Sequence, residues 1–201
     1  TTLSATESEH GVTPDPLLAT RVYLTAYGAG VYRSDDDGVT FSKPDVGGTL
    51  VNHSVRDLIA VPGESGHLFV GTGIGVWESI DAAATWAPRN GGLPPSFSTR
   101  ALALVPGVPP TLYAGSDSTG VWKSADGGNT WVSAGAGIPT PFIYSLLVDP
   151  AAPLTVFAAT DSGVFRSIDG GGTWAAARNG LPYGTLEHIR ALARAPAHPG
   201  L

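Results

Sequence analysis

Four residues of this chain share an address. Counting back six residues from Pro62, Pro106, Pro150 and Pro196 lands on Arg56, Arg100, Tyr144 and Arg190. Equal offsets of this kind mark equivalent places in a repeating structure. Three arginines and a tyrosine at one level would concentrate positive potential in a chain whose formal charge is −6. The guanidinium fork grips a carboxylate or phosphate through parallel N–H bonds. The set is therefore read as a candidate binding site for an anionic group. The plain alternative is that each arginine pairs with a nearby acid, such as Asp57 or Glu187, or caps a strand end.

Other chemistry finds less support in the residues. The five histidines, at 10, 53, 67, 188 and 198, show neither His-x-x-His nor His-Glu-x-x-His spacing, so no metal site is read. The glycine strings Gly170-Gly171-Gly172 and Gly71-Thr72-Gly73 precede no helix and cannot act as phosphate loops. Zero cysteines remove disulfides, thiolate metal ligands and cysteine nucleophiles together. No cofactor is expected. The two lysines and nine arginines are scattered, which argues against a nucleic-acid surface. The apolar stretch near Ile143 to Ala159 is broken by Asp149, Pro150 and Pro153 and is no membrane span. Thr1 is read as a processed N-terminus, after a cleaved secretory signal, or as the start of an excerpt. An extracytoplasmic location is expected on that reading.

The elements that must carry these residues follow from composition and self-similarity. With 27 Gly, 17 Pro and 14% charged residues, the chain reads as many short strands joined by tight turns. Helical patterning is nearly absent; Leu186 to Ala195 reads equally well as a strand. Four segments match one another: Gly30-Val31-Tyr32-Arg33-Ser34, Gly75-Val76-Trp77-Glu78-Ser79, Gly120-Val121-Trp122-Lys123-Ser124 and Gly163-Val164-Phe165-Arg166-Ser167. Their serines are 45, 45 and 43 residues apart, and each opens a second match, Ser-x-Asp-x-Gly-x-Thr-Trp. Phe41 replaces Trp in the first copy and Ala83 replaces Gly in the second.

The second match is a hairpin. An Asp accepts hydrogen bonds from backbone N–H groups just after it, Gly supplies a positive φ, and the aromatic residue re-enters a strand. Ala83 should mark the weakest of the four turns. Around each hairpin the strands repeat in order: Val55 to Val61, His67 to Thr72, Val76 to Ile80 and Thr85 to Pro88 in the second unit, for example. Gly92-Leu93-Pro94, Gly137-Ile138-Pro139 and Gly180-Leu181-Pro182 separate the units. Four short strands at this period describe a propeller blade.

These residues resemble the Asp-box (BNR) repeat superfamily, which includes sialidases, xyloglucanase-type hydrolases, sortilin-like receptors and photosystem II assembly factors. The resemblance covers residues 20 to 201. It implies an all-β fold, a β-propeller of four-stranded antiparallel blades, about four of them here, read as an arc of a longer propeller. Units are expected at 20–50, 51–94, 95–139 and 140–182, with a further first strand in 183–201 and an N-terminal extension at 1–19. In the superfamily the box is a structural turn far from the ligand channel, so Asp36, Asp81, Asp126 and Asp169 read as turn residues. The sialidase signature is missing. A xyloglucanase-type enzyme needs a carboxylate pair, and Tyr27 stands where its first aspartate would be. Asp161 in Thr160-Asp161-Ser162-Gly163 and Asp117 after Ser116 are read as strand-ending turn residues. The photosystem assembly factors carry an arginine-rich patch, which runs in the direction of the arginine set here.

The expected function is therefore a non-enzymatic scaffold binding a protein or glycan partner, with a glycoside hydrolase as the alternative and a structural subunit of a surface assembly as the second. A propeller's first strand lines the central channel, so Arg56, Arg100, Tyr144 and Arg190 should converge there. Residues 1 to 19 offer no convincing first strand for the first unit, whereas Ile189 to Ala195 match one. That segment could close a four-bladed ring on Val22 to Thr25, pair with another copy, or begin a fifth blade; the excerpt of a longer propeller ranks first.

Overall fold

A computed structural model describes residues 9–26, 28–50, 53–177 and 189–193. Among them there is no helix. Four antiparallel meanders follow one another along the chain. The first contains β1 (Glu9–Pro14), β2 (Val22–Ala26) and β3 (Gly30–Ser34), and an isolated bridge between Arg33 and Ser42 stands for its fourth strand. The second is β4 (Asp57–Ala60), β5 (Leu68–Thr72), β6 (Gly75–Ser79) and β7 (Ala87–Pro88). The third is β8 (Thr99–Val105), β9 (Thr111–Ser116), β10 (Val121–Ser124) and β11 (Val132–Ser133). The fourth is β12 (Ile143–Val148), β13 (Val156–Thr160), β14 (Gly163–Ser167) and β15 (Ala175–Ala176).

One expectation needs correction, and the closed-ring alternative falls away. The first unit does have a first strand: β1, from the segment read as an extension, pairs with β2 from Gly11↔Thr25 to Pro14↔Val22. It escaped notice because Glu9-His10-Gly11-Val12-Thr13-Pro14 holds one apolar side chain, so backbone pairing and not burial places it. Ring closure of Ile189 to Ala195 onto Val22 to Thr25 is not made, since β1 and β3 occupy both edges of β2. Residues 189–193 form no strand; Leu192 N–H instead donates to Ser145 Oγ at 3.3 Å. The remainder of 183–201, and Tyr27, lie outside the described residues.

Successive first strands pack in series, β1 on β4, β4 on β8 and β8 on β12, with no comparable packing of β12 back on β1. Each seam holds its own core. Tyr23 and Val31 meet Leu58, Leu68, Val70 and Trp86. Phe69 and Val76 meet Leu102, Leu112 and Trp131. Tyr113 and Val121 meet Leu146, Val156, Phe165 and Trp174. Close approach demands a small residue at mid-blade: a Cβ on Gly115 would lie 2.5 Å from Ile143 Cγ2.

The hairpins at 34–41, 79–86, 124–131 and 167–174 are one structure made four times. In the third, Asp126 Oδ1 accepts from Ser124 Oγ (2.7 Å) and Thr130 N (2.8 Å), and Oδ2 accepts from Thr130 Oγ1 (2.6 Å). Ser124 Oγ in turn accepts from Gly128 N at 2.8 Å. The second copy keeps these bonds but forces Ala82 (φ 59°) and Ala83 (φ 70°) into the left-handed region, at a cost of about 1–2 kcal/mol per residue. Ser124 is buried and holds the turn from both sides. Ser124→Ala, which orphans the buried Gly128 N–H, should cost about 1–3 kcal/mol in urea unfolding. An unchanged midpoint would show that the serine is dispensable.

Candidate functional site at the first-strand ends

Register places the boxes and the candidate site at opposite ends of each blade. Ser124 lies across from Leu112, at the start of β9, whereas Thr99 lies across from Ser116, at its finish. At that second end the ladder carries a bulge, an extra residue that re-aims a side chain. Arg100 is the inserted residue between Thr99 and Ala101, and Tyr144 between Ile143 and Ser145. Blade 1 has the same irregularity between Glu9 and Gly11, at His10. Sequence reading missed His10, yet the signal was there, because Pro16 lies six residues after it.

The structure brings some of the predicted residues together. The Arg100 guanidinium lies over two rings of the next blade, 5.3 Å from the centre of Tyr144 and 5.8 Å from that of Phe142. The two rings are 5.8 Å apart. Cation–π attraction of this kind contributes about 0.5–2 kcal/mol. Phe142, which sequence reading did not single out, is 37% exposed, and Arg100 Nη1 is buried without a hydrogen-bond partner among the described residues. Arg56 behaves differently. Its Nη1 donates to Asp117 Oδ2 at 3.0 Å and to Ser98 Oγ at 2.7 Å, so its charge is matched across the seam. The acid that pairs it is thus Asp117 and not Asp57, and Asp117 is more than a turn residue. Arg190 is exposed, beyond the Leu192 contact with Ser145. A cleft of about 500 Å³ lies on the loop that leads into β12, lined by Ser118, Thr119, Ser133, Pro139 and Pro141, and Phe142 follows Pro141 in the chain.

Asp57 serves the seam. Its Oδ2 accepts from Leu102 N at 2.7 Å and its Oδ1 from Leu58 N at 2.9 Å. Burial pushes its carboxyl up to about 6, outweighing the N–H groups that draw it down. The box aspartates move the other way: hydrogen bonds from Ser34 and Thr40 hold Asp36 at about 2, and those from Thr130 and Ser124 hold Asp126 there too. The signs fix a pH profile. A raised carboxyl binds its proton more tightly in the folded chain, so stability should grow as pH falls from neutrality through 6 towards the ordinary 3.8. A depressed carboxyl stabilises above its ordinary value and loses that contribution as pH falls from 3.8 to about 2. Melting temperature should therefore rise on mild acidification and collapse in strong acid. Asp57→Asn should flatten the first limb; a variant that still shows the rise would place it on another group.

No family model matches the chain, and no curated protein matches it. Solved structures do. An ancestral GH74 enzyme superposes with a TM-score of 0.68 at 24% identity, over 84% of this chain and 24% of its own. This is a β-propeller. The GH74 xyloglucanase from Xanthomonas campestris gives a TM-score of 0.60 at 20% identity, over 82% of the propeller described here and 29% of its own chain. The extracellular domain of BT4673 from B. thetaiotaomicron gives 0.66 at 18% identity, over 87% and 22%. The propeller thus spans roughly a quarter of the length of these structures.

Proposed function

We propose that this propeller is a binding module for a protein or glycan partner, and that the partner is held at the first-strand ends of blades 3 and 4. The observation that carries this reading is the Arg100 guanidinium over Phe142 and Tyr144, with no carboxylate on it among the described residues. Arginine and aromatic side chains clustered at a partly open surface are the residue types that dominate binding energy. Phe142, 37% exposed, provides apolar surface for a sugar ring or an apolar side chain. Arg100 provides charge that, unlike that of Arg56, meets no carboxylate among the described residues. Arg190, exposed to solvent, joins the proposal by its equal offset from Pro196. An extracytoplasmic location belongs to this proposal, in line with the extracellular domain among the structural neighbours.

The test is affinity capture on immobilised xyloglucan and polygalacturonate, and from a displayed peptide library, followed by titration of whatever is retained. Arg100→Ala and Phe142→Ala should each weaken binding by roughly tenfold or more while leaving the melting temperature near wild type. Equal retention by both variants would remove the site. Release of reducing ends from xyloglucan by the purified chain would replace binding with hydrolysis.

A further inference from the structure

The seam between blades 2 and 3 and the seam between blades 3 and 4 carry the same two charges at the same place. Arg56 and Arg100 stand on the first strands of blades 2 and 3. In the blade after each, the residue that follows the second strand is an acid, Asp117 for Arg56 and Asp161 for Arg100. The turns that present the two acids are alike: Ser118 N donates to Ser116 Oγ at 3.0 Å, and Ser162 N donates to Thr160 Oγ1 at 3.0 Å. The turn itself does not need an acid. Blade 2 makes it with Gly73 at that point, where Ile74 N donates to Thr72 Oγ1 at 3.2 Å.

One seam closes the pair and the other leaves it open. Arg56 Nη1 donates to Asp117 Oδ2 at 3.0 Å, and Ser98 Oγ joins the two, 2.7 Å from Nη1 and 3.2 Å from Oδ2. Phe142 takes the place of Ser98, two residues before Tyr144 as Ser98 is two before Arg100. Its ring has no hydroxyl to join a cation to an acid, and the Arg100 guanidinium lies over it, 5.8 Å from its centre. Among the described residues no carboxylate pairs with Arg100, and its buried Nη1 has no acceptor. The one bond to the Asp161 carboxylate among them is a long one, from Ser162 Oγ at 3.4 Å. A buried cationic N–H without an acceptor is costly, and a ligand that supplies one recovers that cost on binding.

We infer, resting on the reading of this propeller as a binding module, that its partner is a polypeptide segment with one acidic and one basic side chain close together, held across the seam between blades 3 and 4. The acidic group takes on Arg100 the place that Asp117 takes on Arg56. The basic group meets Asp161, and its apolar stem lies on Phe142. The class of partner follows from the two charges. A purely anionic ligand would satisfy Arg100 and face the Asp161 carboxylate; a neutral glycan would leave both unmet. A segment of both signs completes the two at once, on side chains long enough to reach them.

The test uses capped alanine-glycine peptides that hold a lysine and a glutamate at a range of separations, titrated into the chain by calorimetry at low salt. At least one separation should bind, and replacing either charged residue of that peptide by glutamine should weaken it by roughly tenfold or more. Arg100→Ala and Asp161→Asn should each weaken binding by a similar factor at an unchanged melting temperature. Phe142→Ser restores the closed set of the other seam. It should abolish binding and couple Arg100 to Asp161 in a double-mutant cycle that shows no coupling in the wild type. Failure of every peptide overturns the inference. So does coupling of the two residues in the wild type, since charges that satisfy each other need no ligand. A captured partner that depends on Arg100 and Phe142 but not on Asp161 overturns it too, while leaving the binding module standing. A partner indifferent to all three residues removes both.

Discussion

Gly137→Ala should destabilise the protein by about 3–5 kcal/mol, enough to unfold a marginal domain. The backbone at Gly137 has φ +100°, where a Cβ is strained, and the added carbon would lie 2.4 Å from Trp174 O and 3.3 Å from Trp174 N. The loop cannot step back, because Ala136 O accepts Trp174 N–H at 2.9 Å and Ile138 N–H is tied to Gly135 O at 3.0 Å. Strain contributes about 1–3 kcal/mol and overpacking about as much again. The comparison is Gly63→Ala: φ is +83° there, but no atom lies within 4 Å of the added carbon. That variant should lose only the strain, about 1–2 kcal/mol. Urea unfolding of both separates the contributions. Equal losses would mean that the inter-blade loop yields and that the seam is looser than described.

Trp131→Ala should cost a similar 3–5 kcal/mol. The ring is 3% exposed and closes the seam between blades 2 and 3, beside Phe97, Leu102 and Leu112. Its Nε1–H donates to Arg89 O at 2.8 Å and Gly128 O at 3.0 Å, so it also ties one blade's last strand to the next blade's hairpin. Trp131→Phe keeps most of the ring but orphans the Arg89 carbonyl, and should cost about 1–2 kcal/mol. Phe41 shows that the hairpin tolerates this exchange in blade 1, where the ring is partly exposed. If Trp131→Phe were as harmful as Trp131→Ala, the hydrogen bond and not the packing would hold the seam.

Both predictions rest on residues that the repeat made visible. The spacing of Ser34, Ser79, Ser124 and Ser167 located every hairpin, and the bonds to Asp36, Asp81, Asp126 and Asp169 have the form expected of turn residues. The candidate site was legible only as an address. Nothing local to Arg56 or Arg100 distinguishes the arginine that is paired from the one that is not, because the deciding partners lie on the following blade. Asp117 is 61 residues from Arg56. The Phe142 ring likewise meets Arg100 only because β12 packs against β8.

What the sequence by itself determined is whatever depends on neighbours along the chain. The alternation of apolar residues sets the strands, the Ser-x-Asp-x-Gly turn closes the outer hairpin, and the recurrence of both imposes blades of equal design. Tertiary structure decided the rest. It recruited Glu9–Pro14 as a first strand through hydrogen bonds to an edge that β2 would otherwise leave open. It left Val12 63% exposed where its counterparts Leu58, Leu102 and Leu146 are buried. The physical reason is that side chains of one blade are completed by the next, so pairing, burial and charge balance belong to the seam and not to either strand alone.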